Sequence, residues 1–334
     1  MLDTDRTPLI SILVAARNEE ESIINCLEAI ERLDYPINRV EVLIGNDQST
    51  DRTAALVNEF SADKPWFRLI EILPGSGALR GKTNVLAQLA KQARGQFFFF
   101  TDADTTVSTN WLAAMSHYLR ENTGVVTGIT LPDGPTLFHK LQAIDWLYNL
   151  TLTHLLSLFG QPVTAMGNNM AVSRKAYDAV GGYESIPFSV VEDYGLFQAI
   201  VKKKYSFRNL LDKEVLAQTK PVETMHAFLQ QRKRWMHGAM QLPAWMVTAL
   251  YGQYLAAPFL LLLSFFFPWL AIGLYATKIF FQTLIISFGI SRLNQARLWP
   301  YGLLFEPYLL FIGPLSVLYY FLPTRINWKG RTYQ

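Results

Sequence analysis

The carboxyl-terminal part of the chain contains apolar segments of membrane-crossing length, and these constrain the fold more than any other feature. Tyr254–Ala276 carries no charged side chain, and a spanning helix needs about 20 predominantly apolar residues. Tyr301–Leu322 has Glu306 as its only formal charge. Ile279–Ile290, between them, is apolar but short, so it is a third span, a re-entrant piece or an interfacial helix. A buried helical hairpin is the alternative for the region.

Basic residues on both flanks of this region predict its orientation. They are Arg232, Lys233 and Arg234 before it and Arg325, Lys329 and Arg331 after it. Cytoplasmic flanks carry an excess of Lys and Arg. We therefore expect an integral protein of the inner, cytoplasmic membrane, with the preceding domain on the cytoplasmic side. If both flanks lie on the cytoplasmic side, the chain crosses the membrane an even number of times. We favour two crossings, which would leave Arg292 and Arg297 outside.

The composition excludes a dedicated nucleic-acid-binding protein. Half of the residues are apolar and the formal net charge is +3, whereas a nucleic-acid binder needs Lys and Arg clustered along one face. Cys26 is the only cysteine, which excludes an intrachain disulfide and a multi-cysteine metal site. We expect a reducing compartment and no nucleic-acid partner. Met1–Pro8 is too polar to begin a signal peptide.

Short apolar runs alternate with amphipathic stretches in the first part of the chain. The runs predict strands at Leu9–Ala16, Glu41–Gly45, Phe67–Leu73, Phe97–Thr101 and Gly124–Thr130. The stretches predict helices at Glu20–Leu33, Asp51–Phe60, Lys82–Ala93 and Asn110–Leu119. This alternation indicates an α/β fold with a mostly parallel sheet covered on both faces. Ligands of such sheets bind beyond the carboxyl ends of the strands.

Changes in composition divide the chain into four parts. These are the α/β domain at 1–222, interfacial amphipathic helices at 223–252, a membrane segment of two or three helices at 253–323 and a basic tail at 324–334. Further helices are predicted at Leu137–Phe159 and Glu192–Lys203, and the amphipathic stretch Val222–Leu250 is interrupted at Pro243.

Polar residues follow the first two predicted strands. Arg17 and Glu19 come after the first strand and Asp47 after the second. Asp47 is placed to accept hydrogen bonds from a nucleobase or ribose. Asp, Ser and Thr are also the preferred helix caps, but we expect Ser49 or Thr50 to cap the next helix and leave Asp47 for a ligand.

Two aspartates, Asp102 and Asp104, follow the most apolar strand. Close carboxylates repel each other unless a cation or a proton intervenes. A hard divalent ion held by one or two carboxylates and by diphosphate oxygens resolves this repulsion. A helix cap is the alternative, and the position after a central strand favours the metal.

A second acidic pair, Glu192 and Asp193, stands at the start of a predicted helix. Acidic residues there complement the helix dipole, or one of them is a general base that deprotonates an acceptor hydroxyl. The spacing does not choose between these interpretations.

Gln231, Arg234 and Trp235 share one face of a predicted helix, because residues three and four apart are neighbours. An amide, a guanidinium and an indole can bind a diphosphate and stack on a sugar ring. The alternative is a basic helix lying on anionic lipid. Both interpretations can hold, since Arg232 and Lys233 are expected to point elsewhere.

These motifs occur along the chain in an order that resembles glycosyltransferase family 2. The Q-x-x-R-W ending is similar to the branch that contains cellulose synthase, hyaluronan synthase and ceramide glucosyltransferase. The resemblance covers about Leu9–Trp235. It implies a GT-A fold, dependence on Mg²⁺ or Mn²⁺, a UDP- or GDP-sugar donor and inversion at the anomeric carbon.

The resemblance also implies a role for each matching residue. Asp193 would be the catalytic base and Asp104 the main metal ligand, while Asp102 would bind both metal and nucleotide. The residues expected to hold the nucleoside are Arg17, Glu19, Asp47 and Lys82. Those expected on the diphosphate and acceptor side are Asn168, Glu192, Gln231, Arg234 and Trp235.

The number of membrane helices bears on the acceptor. The polysaccharide synthases that these motifs resemble carry more membrane helices, including some before the catalytic domain. These helices form a polymer channel. Here nothing precedes the first strand and the tail has two or three spans, so we expect transfer to a hydroxyl of a membrane lipid. The alternatives are a subunit of a processive polysaccharide synthase and a catalytically inactive membrane scaffold.

Overall fold

The computed structural model describes residues 7–75, 79–189, 191–328 and 331–333. Two compact units divide the chain: a sheet unit of Met1–Leu131 and Thr153–Lys220, and a helical unit of Pro132–Leu152 and Pro221–Gln334. Residues 132–152, which we assigned to the α/β domain, therefore belong to the helical unit. Each unit is described by itself.

A seven-stranded sheet is the centre of the sheet unit. The strands up to Lys220 are β1 (Ile10–Ala16), β2 (Val40–Asn46), β3 (Phe67–Glu71), β4 (Phe97–Asp102), β5 (Thr105–Thr106), β6 (Thr123–Thr127), β7 (Ile129–Pro132), β8 (Met170–Ser173), β9 (Ser206–Asn209) and β10 (Leu216–Thr219). The large sheet has the order β3-β2-β1-β4-β8-β6-β9. Its neighbours are parallel except where β8 pairs with β4 and β6. The predicted α/β class with a mostly parallel sheet is confirmed.

Helices cover both faces of this sheet. They are α1 (Ile23–Glu31), α2 (Thr53–Ser61), α3 (Lys82–Gln92), α4 (Trp111–Ser116), α6 (Arg174–Ala179) and α7 (Glu192–Lys202), while α5 (Leu137–Leu158) runs through the division between the units. Successive side chains of a strand point to opposite faces. Phe98 and Phe100 of β4 therefore belong to one apolar core and Phe99 to the other.

The strand predicted at Gly124–Thr130 is divided into β6 and β7 at Gly128. The Gly128 N–H donates to the main-chain oxygen of Asn169 at 2.9 Å. A Cβ at Gly128 would lie only 2.6 Å from Asn169 Nδ2. The break follows from this close approach, which the local sequence pattern does not reveal.

The helical unit is formed by long helices and a short hairpin. After Lys220 these are α8 (Met225–Ala239), α9 (Ala244–Ser264), α10 (Pro268–Arg292), α11 (Trp299–Gly302), α12 (Phe305–Phe321), β11 (Ile326–Trp328) and β12 (Arg331–Tyr333). By length and composition, α9 and α10 are able to cross a membrane. Residues 296–302 with α12, bent by 64°, would be a third if the pair is one span.

The predicted span at Tyr254–Ala276 is wrong in its bounds. It is interrupted between Ser264 and Pro268, where α9 ends and α10 begins. Proline suits the first position of a helix because its missing N–H would have no partner there. The segment between them forms a turn, and the amide of Phe267 donates to the Leu263 oxygen at 2.8 Å.

A buried ion pair joins α5 and α8 within the helical unit. Arg232, 5% exposed, contacts the carboxylate of Asp145, 2% exposed. The Tyr308 hydroxyl donates to Asp145 Oδ2 at 3.0 Å, and Lys233 Nζ donates to the Leu322 oxygen at 2.5 Å. The alternative of a basic helix lying on anionic lipid does not describe Arg232 and Lys233, because both side chains have partners far away in the sequence.

The packing of Phe99 predicts a large cost for its truncation. Phe99 is fully buried, and its ring meets that of Trp111 edge to face with centroids 5.1 Å apart. We expect Phe99→Ala to lower the free energy of unfolding by about 3–5 kcal/mol, since apolar burial is lost and a cavity remains. Tyr118→Ala, at a residue that is 42% exposed, should change it by less than about 1 kcal/mol. Denaturant titration in detergent compares the two variants, and equal losses would contradict the proposed packing.

Candidate active site

The carboxyl ends of β1, β2 and β4 lie at one edge of the sheet. Ala16 of β1 pairs with Asn46 of β2, and Ala15 pairs with Asp102 at the end of β4. The polar residues that follow these three strands therefore lie along the same edge of the sheet. This is the edge at which open α/β sheets bind ligands.

Hydrogen bonds join the loops after β1 and β2. Arg17 Nη1 donates to the main-chain oxygen of Asp47 at 2.9 Å and lies 4.0 Å from its Oδ2. The Asn18 N–H donates to Ser49 Oγ at 3.1 Å. Asn18 and Gln48 have positive φ angles of 51° and 56°, which are uncommon for residues other than glycine. The two loops thus support each other and place Arg17 beside Asp47.

The cap of α2 differs from the expected one. Asp51 Oδ1 accepts the Thr53 N–H at 3.0 Å, and α2 begins only at Thr53. The prediction that Ser49 or Thr50 caps this helix is wrong. Glu19 is buried, and its N–H donates to Thr53 Oγ1 at 2.8 Å.

The Lys82 ammonium lies between two carboxylates. Its Nζ is 2.5 Å from Asp102 Oδ1 and 3.0 Å from Glu192 Oε1. The exposed fractions of the side chains are 11% for Lys82, 28% for Asp102 and 8% for Glu192. Burial lowers the pKa of Lys82, but Asp102 and then Glu192 outweigh it and hold this pKa well above its usual range. Lys82 is therefore a permanent cation that connects β4, α3 and α7.

Asp104 lies where β5 pairs with β10. Its Oδ1 accepts the hydroxyls of Thr105 at 3.3 Å and of Thr219 at 3.4 Å. Thr105 and Thr219 are themselves register partners in the small sheet β5-β10-β7. Thr219 was not among the predicted site residues, because this strand pairing joins positions that are distant in the sequence.

Negative charge is concentrated near the end of β4. Burial first, and then the charges of Asp104, Asp102 and Glu19, raise the pKa of the Cys26 thiol far above its usual value. The same charges would stabilise a bound cation. Carboxylate and hydroxyl oxygens are the donors that hard divalent ions prefer.

The donor set fits a metal that is shared with a substrate. Across 7–75, 79–189, 191–328 and 331–333, no group of three or more His, Cys, Asp or Glu side chains is placed to hold a metal. Mg²⁺ is usually bound by one or two carboxylates together with substrate phosphates. Asp102 and Asp104 fit that arrangement, and they do not form a complete protein-only site.

Asp193 is a partly buried carboxylate at the start of α7, next to buried Glu192. Its Oδ2 accepts the Gly167 N–H and its Oδ1 the Tyr194 N–H, each at 2.7 Å. Burial and then the charge of Glu192 raise the pKa of Asp193 to about 6, although Lys82 and the two N–H groups oppose the shift. A Cβ at Gly167 would lie 2.7 Å from Asp193 Oδ2, so only glycine allows this contact.

The two asparagines after Gly167 differ in what they contact. Asn168 Oδ1 accepts the Thr130 hydroxyl at 3.0 Å. Asn169 accepts from Trp111 Nε1 at 2.8 Å and donates to the oxygens of Ile129 and Val215, both at 2.9 Å. Asn169 thus holds strands and α4 together, while Asn168 remains the candidate for ligand contact.

Gln231, Arg234 and Trp235 lie on α8 in the helical unit. Trp235 packs against Trp146 of α5 with ring centroids 4.9 Å apart, and the Arg232 guanidinium lies 4.9 Å from the Trp235 ring. Gln231 Oε1 is buried without a hydrogen-bond partner among the described residues. The ligand roles of this face stay a prediction.

The family of the chain is shown by a match to a family model. The model of glycosyl transferase family 21 matches residues 3–334. The chain belongs to glycosyl transferase family 21. The motifs suggested family 2, and membership of the Q-x-x-R-W branch remains a prediction. The prediction of a glycosyltransferase is confirmed.

Curated relatives of this family 21 chain resemble it over part of their length. The beta-monoglucosyldiacylglycerol synthase of Synechocystis sp. is 28% identical over 237 residues, which are 70% of this chain and 48% of that protein. The poly-beta-1,6-N-acetyl-D-glucosamine synthase of Staphylococcus epidermidis is 27% identical over 233 residues, 69% of this chain and 54% of that protein. The chain spans about half the length of these relatives.

A solved structure has a similar fold. It is a mannosyltransferase from Pyrobaculum calidifontis in complex with GDP-Man and Mn²⁺, with a TM-score of 0.61 and 18% identity over 96% of this chain and 89% of that chain. At this identity the likeness shows the fold alone. The predicted GT-A fold is confirmed.

The position of Lys82 predicts a pH-dependent loss of stability when its charge is removed. In Lys82→Met the carboxylates of Asp102 and Glu192 repel each other, so the folded protein holds a proton more tightly than the unfolded chain does. Stability gained from such a raised carboxyl pKa is present at low pH and lost as pH rises. We therefore expect a larger loss at pH 8 than at pH 5, measured as the unfolding temperature in EDTA.

The matched control is Lys91→Met. Lys91 lies 2.9 Å from Glu184, but its side chain is 67% exposed. Exposed ion pairs contribute at most about 1 kcal/mol, so this variant should unfold nearly as the parent does at both pH values. A Lys82→Met profile that runs parallel to the control would contradict the shared-cation interpretation.

Proposed function

We propose that the protein transfers a sugar from a nucleotide-sugar donor to a hydroxyl of a membrane lipid, in a single inverting displacement assisted by Mg²⁺ or Mn²⁺. The observation that carries this proposal is the presence of two different carboxylate sites in the sheet unit. Asp102 and Asp104 form an acidic, cation-favouring site after β4, and Asp193 is a separate, partly buried carboxylate with a pKa of about 6.

The first site binds the donor in this proposal. Arg17, Glu19 and Asp47 surround the nucleoside, while Lys82 orients Asp102 toward the nucleotide. Asp104, with Asp102, would hold the divalent ion. A bound ion supplies positive charge that stabilises the departing nucleoside diphosphate.

Asp193 carries out the proton transfer. Its carboxylate takes the proton of the acceptor hydroxyl as the hydroxyl oxygen forms a bond to the anomeric carbon. The bond from that carbon to the diphosphate oxygen breaks in the same displacement, so the configuration inverts. General bases are most effective when their pKa lies near the working pH, which a pKa of about 6 satisfies.

The acceptor side of the proposal follows the resemblance stated from the sequence. Gln231, Arg234 and Trp235 would contact the diphosphate and the acceptor, as the resemblance to the Q-x-x-R-W branch implies, and Asn168 and Glu192 would border the acceptor. Apolar α9 and α10 support a location in a membrane. The basic residues on both flanks favour the inner, cytoplasmic membrane with the catalytic residues on the cytoplasmic side. The Synechocystis relative is named for a lipid product, which supports a lipid acceptor.

The base assignment predicts a specific dependence of rate on pH. Because only unprotonated Asp193 accepts a proton, transfer should rise with pH and level off above about 6. At pH 5 about a tenth of the carboxyl groups would be ionised. Asp193→Asn should lower the rate about 10²–10⁴-fold, whereas Asp178→Asn, at an exposed aspartate of α6, should leave it unchanged. An acid limb retained in the residual activity of Asp193→Asn would show that another group is the base.

The acceptor class is tested through the product. Membranes containing the protein are incubated with labelled UDP- and GDP-sugars, with and without Mn²⁺, and the products are separated into organic-soluble lipid and polymer. We expect label in the lipid fraction, dependent on the metal and lost in Asp193→Asn. The Staphylococcus relative is named for a polymer, so label recovered only in polymer would support the processive alternative and overturn the lipid acceptor.

A further inference from the structure

A small cavity lies beside the start of α7 in the sheet unit. It is partly open to solvent, and it has room for about one water-sized group. A sugar ring is too large for this space, but a single hydroxyl group can enter it. The lining includes Thr83, Tyr183, Ile186, Phe188, Glu192 and Gly195.

The hydroxyl of Tyr183 is the unsatisfied polar group of this cavity. Tyr183 is 2% exposed, and its oxygen has no hydrogen-bond partner among the residues that the structure describes. Its ring packs edge to face against Phe100 and Tyr177, with centroids 6.5 and 5.8 Å apart. A buried hydroxyl without a partner is unfavourable. Because packing holds the ring in place, the hydroxyl suits a ligand group that enters the cavity.

Glu192 supplies a hydrogen-bond acceptor in the same cavity. Its Oε1 lies 3.0 Å from Lys82 Nζ, and a carboxylate has about four positions that accept hydrogen bonds. After burial, the charge of Glu192 is the largest cause that raises the pKa of the Tyr183 phenol well above its usual value. The Thr83 hydroxyl is already engaged, since it donates to the Arg80 oxygen at 2.6 Å. A ligand hydroxyl can therefore accept from Tyr183 and donate to Glu192.

Gly195 leaves space for such a group. It lies within α7, where glycine is less favourable than alanine. A Cβ at Gly195 would lie 3.5 Å from Ile186 Cγ2 and 3.8 Å from Ser189 Cβ, which are ordinary van der Waals contacts. Packing therefore does not require glycine at this position. The glycine instead keeps the cavity open.

The cavity lies between the two carboxylate sites of the proposed reaction. Glu192 shares Lys82 with Asp102, which is on the nucleotide side. Glu192 also directly precedes Asp193, the proposed base. In a nucleotide sugar that reacts between these sites, the part between the diphosphate and the base is the transferred sugar.

We propose that Tyr183 and Glu192 form a subsite that binds one hydroxyl of the transferred sugar, and that Gly195 keeps this subsite open. The Tyr183 O–H donates to the sugar oxygen, and the sugar O–H donates to the Glu192 carboxylate. The subsite selects the donor by the position of that hydroxyl, because a sugar without it leaves a buried polar group unpaired. The proposal rests on the nucleotide-sugar donor of the proposed function.

Binding of nucleotide sugars and of free nucleotides tests the subsite. The protein in detergent is titrated calorimetrically, with Mn²⁺, against UDP-glucose, UDP-N-acetylglucosamine, GDP-mannose, UDP and GDP. Tyr183→Phe keeps the ring and removes the hydroxyl. We expect it to weaken binding of the tightest nucleotide sugar about tenfold and to leave binding of the matching nucleoside diphosphate unchanged. Tyr118→Phe, at a tyrosine that is 42% exposed, should change neither.

Gly195→Ala fills the cavity without removing a polar group. Its new methyl group makes only ordinary contacts, and alanine favours a helix, so its unfolding temperature should not fall below that of the parent. We expect it also to weaken the nucleotide sugar about tenfold and to spare the free nucleotide. This variant provides the test if Tyr183→Phe does not fold. Unchanged binding of the nucleotide sugar in Gly195→Ala would overturn the proposal.

Monodeoxy analogues of the tightest nucleotide sugar identify the hydroxyl. The analogue that lacks it should bind the parent about tenfold more weakly than the full donor does, and Tyr183→Phe should not weaken it further. Equal losses for every analogue and for the free nucleotide would make the Tyr183 hydroxyl a structural group and overturn the subsite. A change confined to the KM of the acceptor would overturn it as well. A parent protein that binds none of the nucleotide sugars would instead refute the proposed function, and the subsite with it.

Discussion

The Lys82 ammonium, held between Asp102 and Glu192, is the interaction on which the arrangement of the site depends. It connects the end of β4, where Asp102 lies, to the start of α7, which carries Glu192 and Asp193. Without a cation between them, the carboxylates of Asp102 and Glu192 would repel each other. The same charge therefore positions the proposed donor site and the proposed base.

The local part of this arrangement was predictable from sequence. In a chain that alternates short apolar runs with amphipathic stretches, the run Phe97–Thr101 predicts a central strand. Asp102 and Asp104 then lie at and just after its carboxyl end. The partners of these residues were not predictable in the same way. Thr219 reaches Asp104 through the pairing of β5 with β10, and the Gly167 amide reaches Asp193 across the unit. Periodicity and spacing describe neighbours in sequence, and these contacts join residues that are far apart.

In the helical unit, the sequence also did not reveal which basic side chains are buried. Arg232 and Lys233 form part of a basic run before an apolar segment, and such runs commonly face anionic lipid. A buried acidic partner reverses that expectation, because Asp145 neutralises Arg232 in the interior. With Arg232 turned inward, its guanidinium packs on Trp235 and helps to fix the face that also carries Gln231 and Arg234. Arg232, whose burial was not predicted, thus supports Trp235 in the predicted motif.

The two acids at the start of α7 illustrate how environment separates residues that spacing leaves equivalent. Glu192 is committed to the ion pair with Lys82. Asp193 is partly buried next to that negative charge, and burial together with the charge of Glu192 raises the pKa of Asp193 to about 6 despite two N–H donors. Neighbouring carboxylates in different environments are suited to different roles. This argument favours Asp193 over Glu192 as the proposed base, and it makes Glu192 a residue that tunes the base while it anchors Lys82.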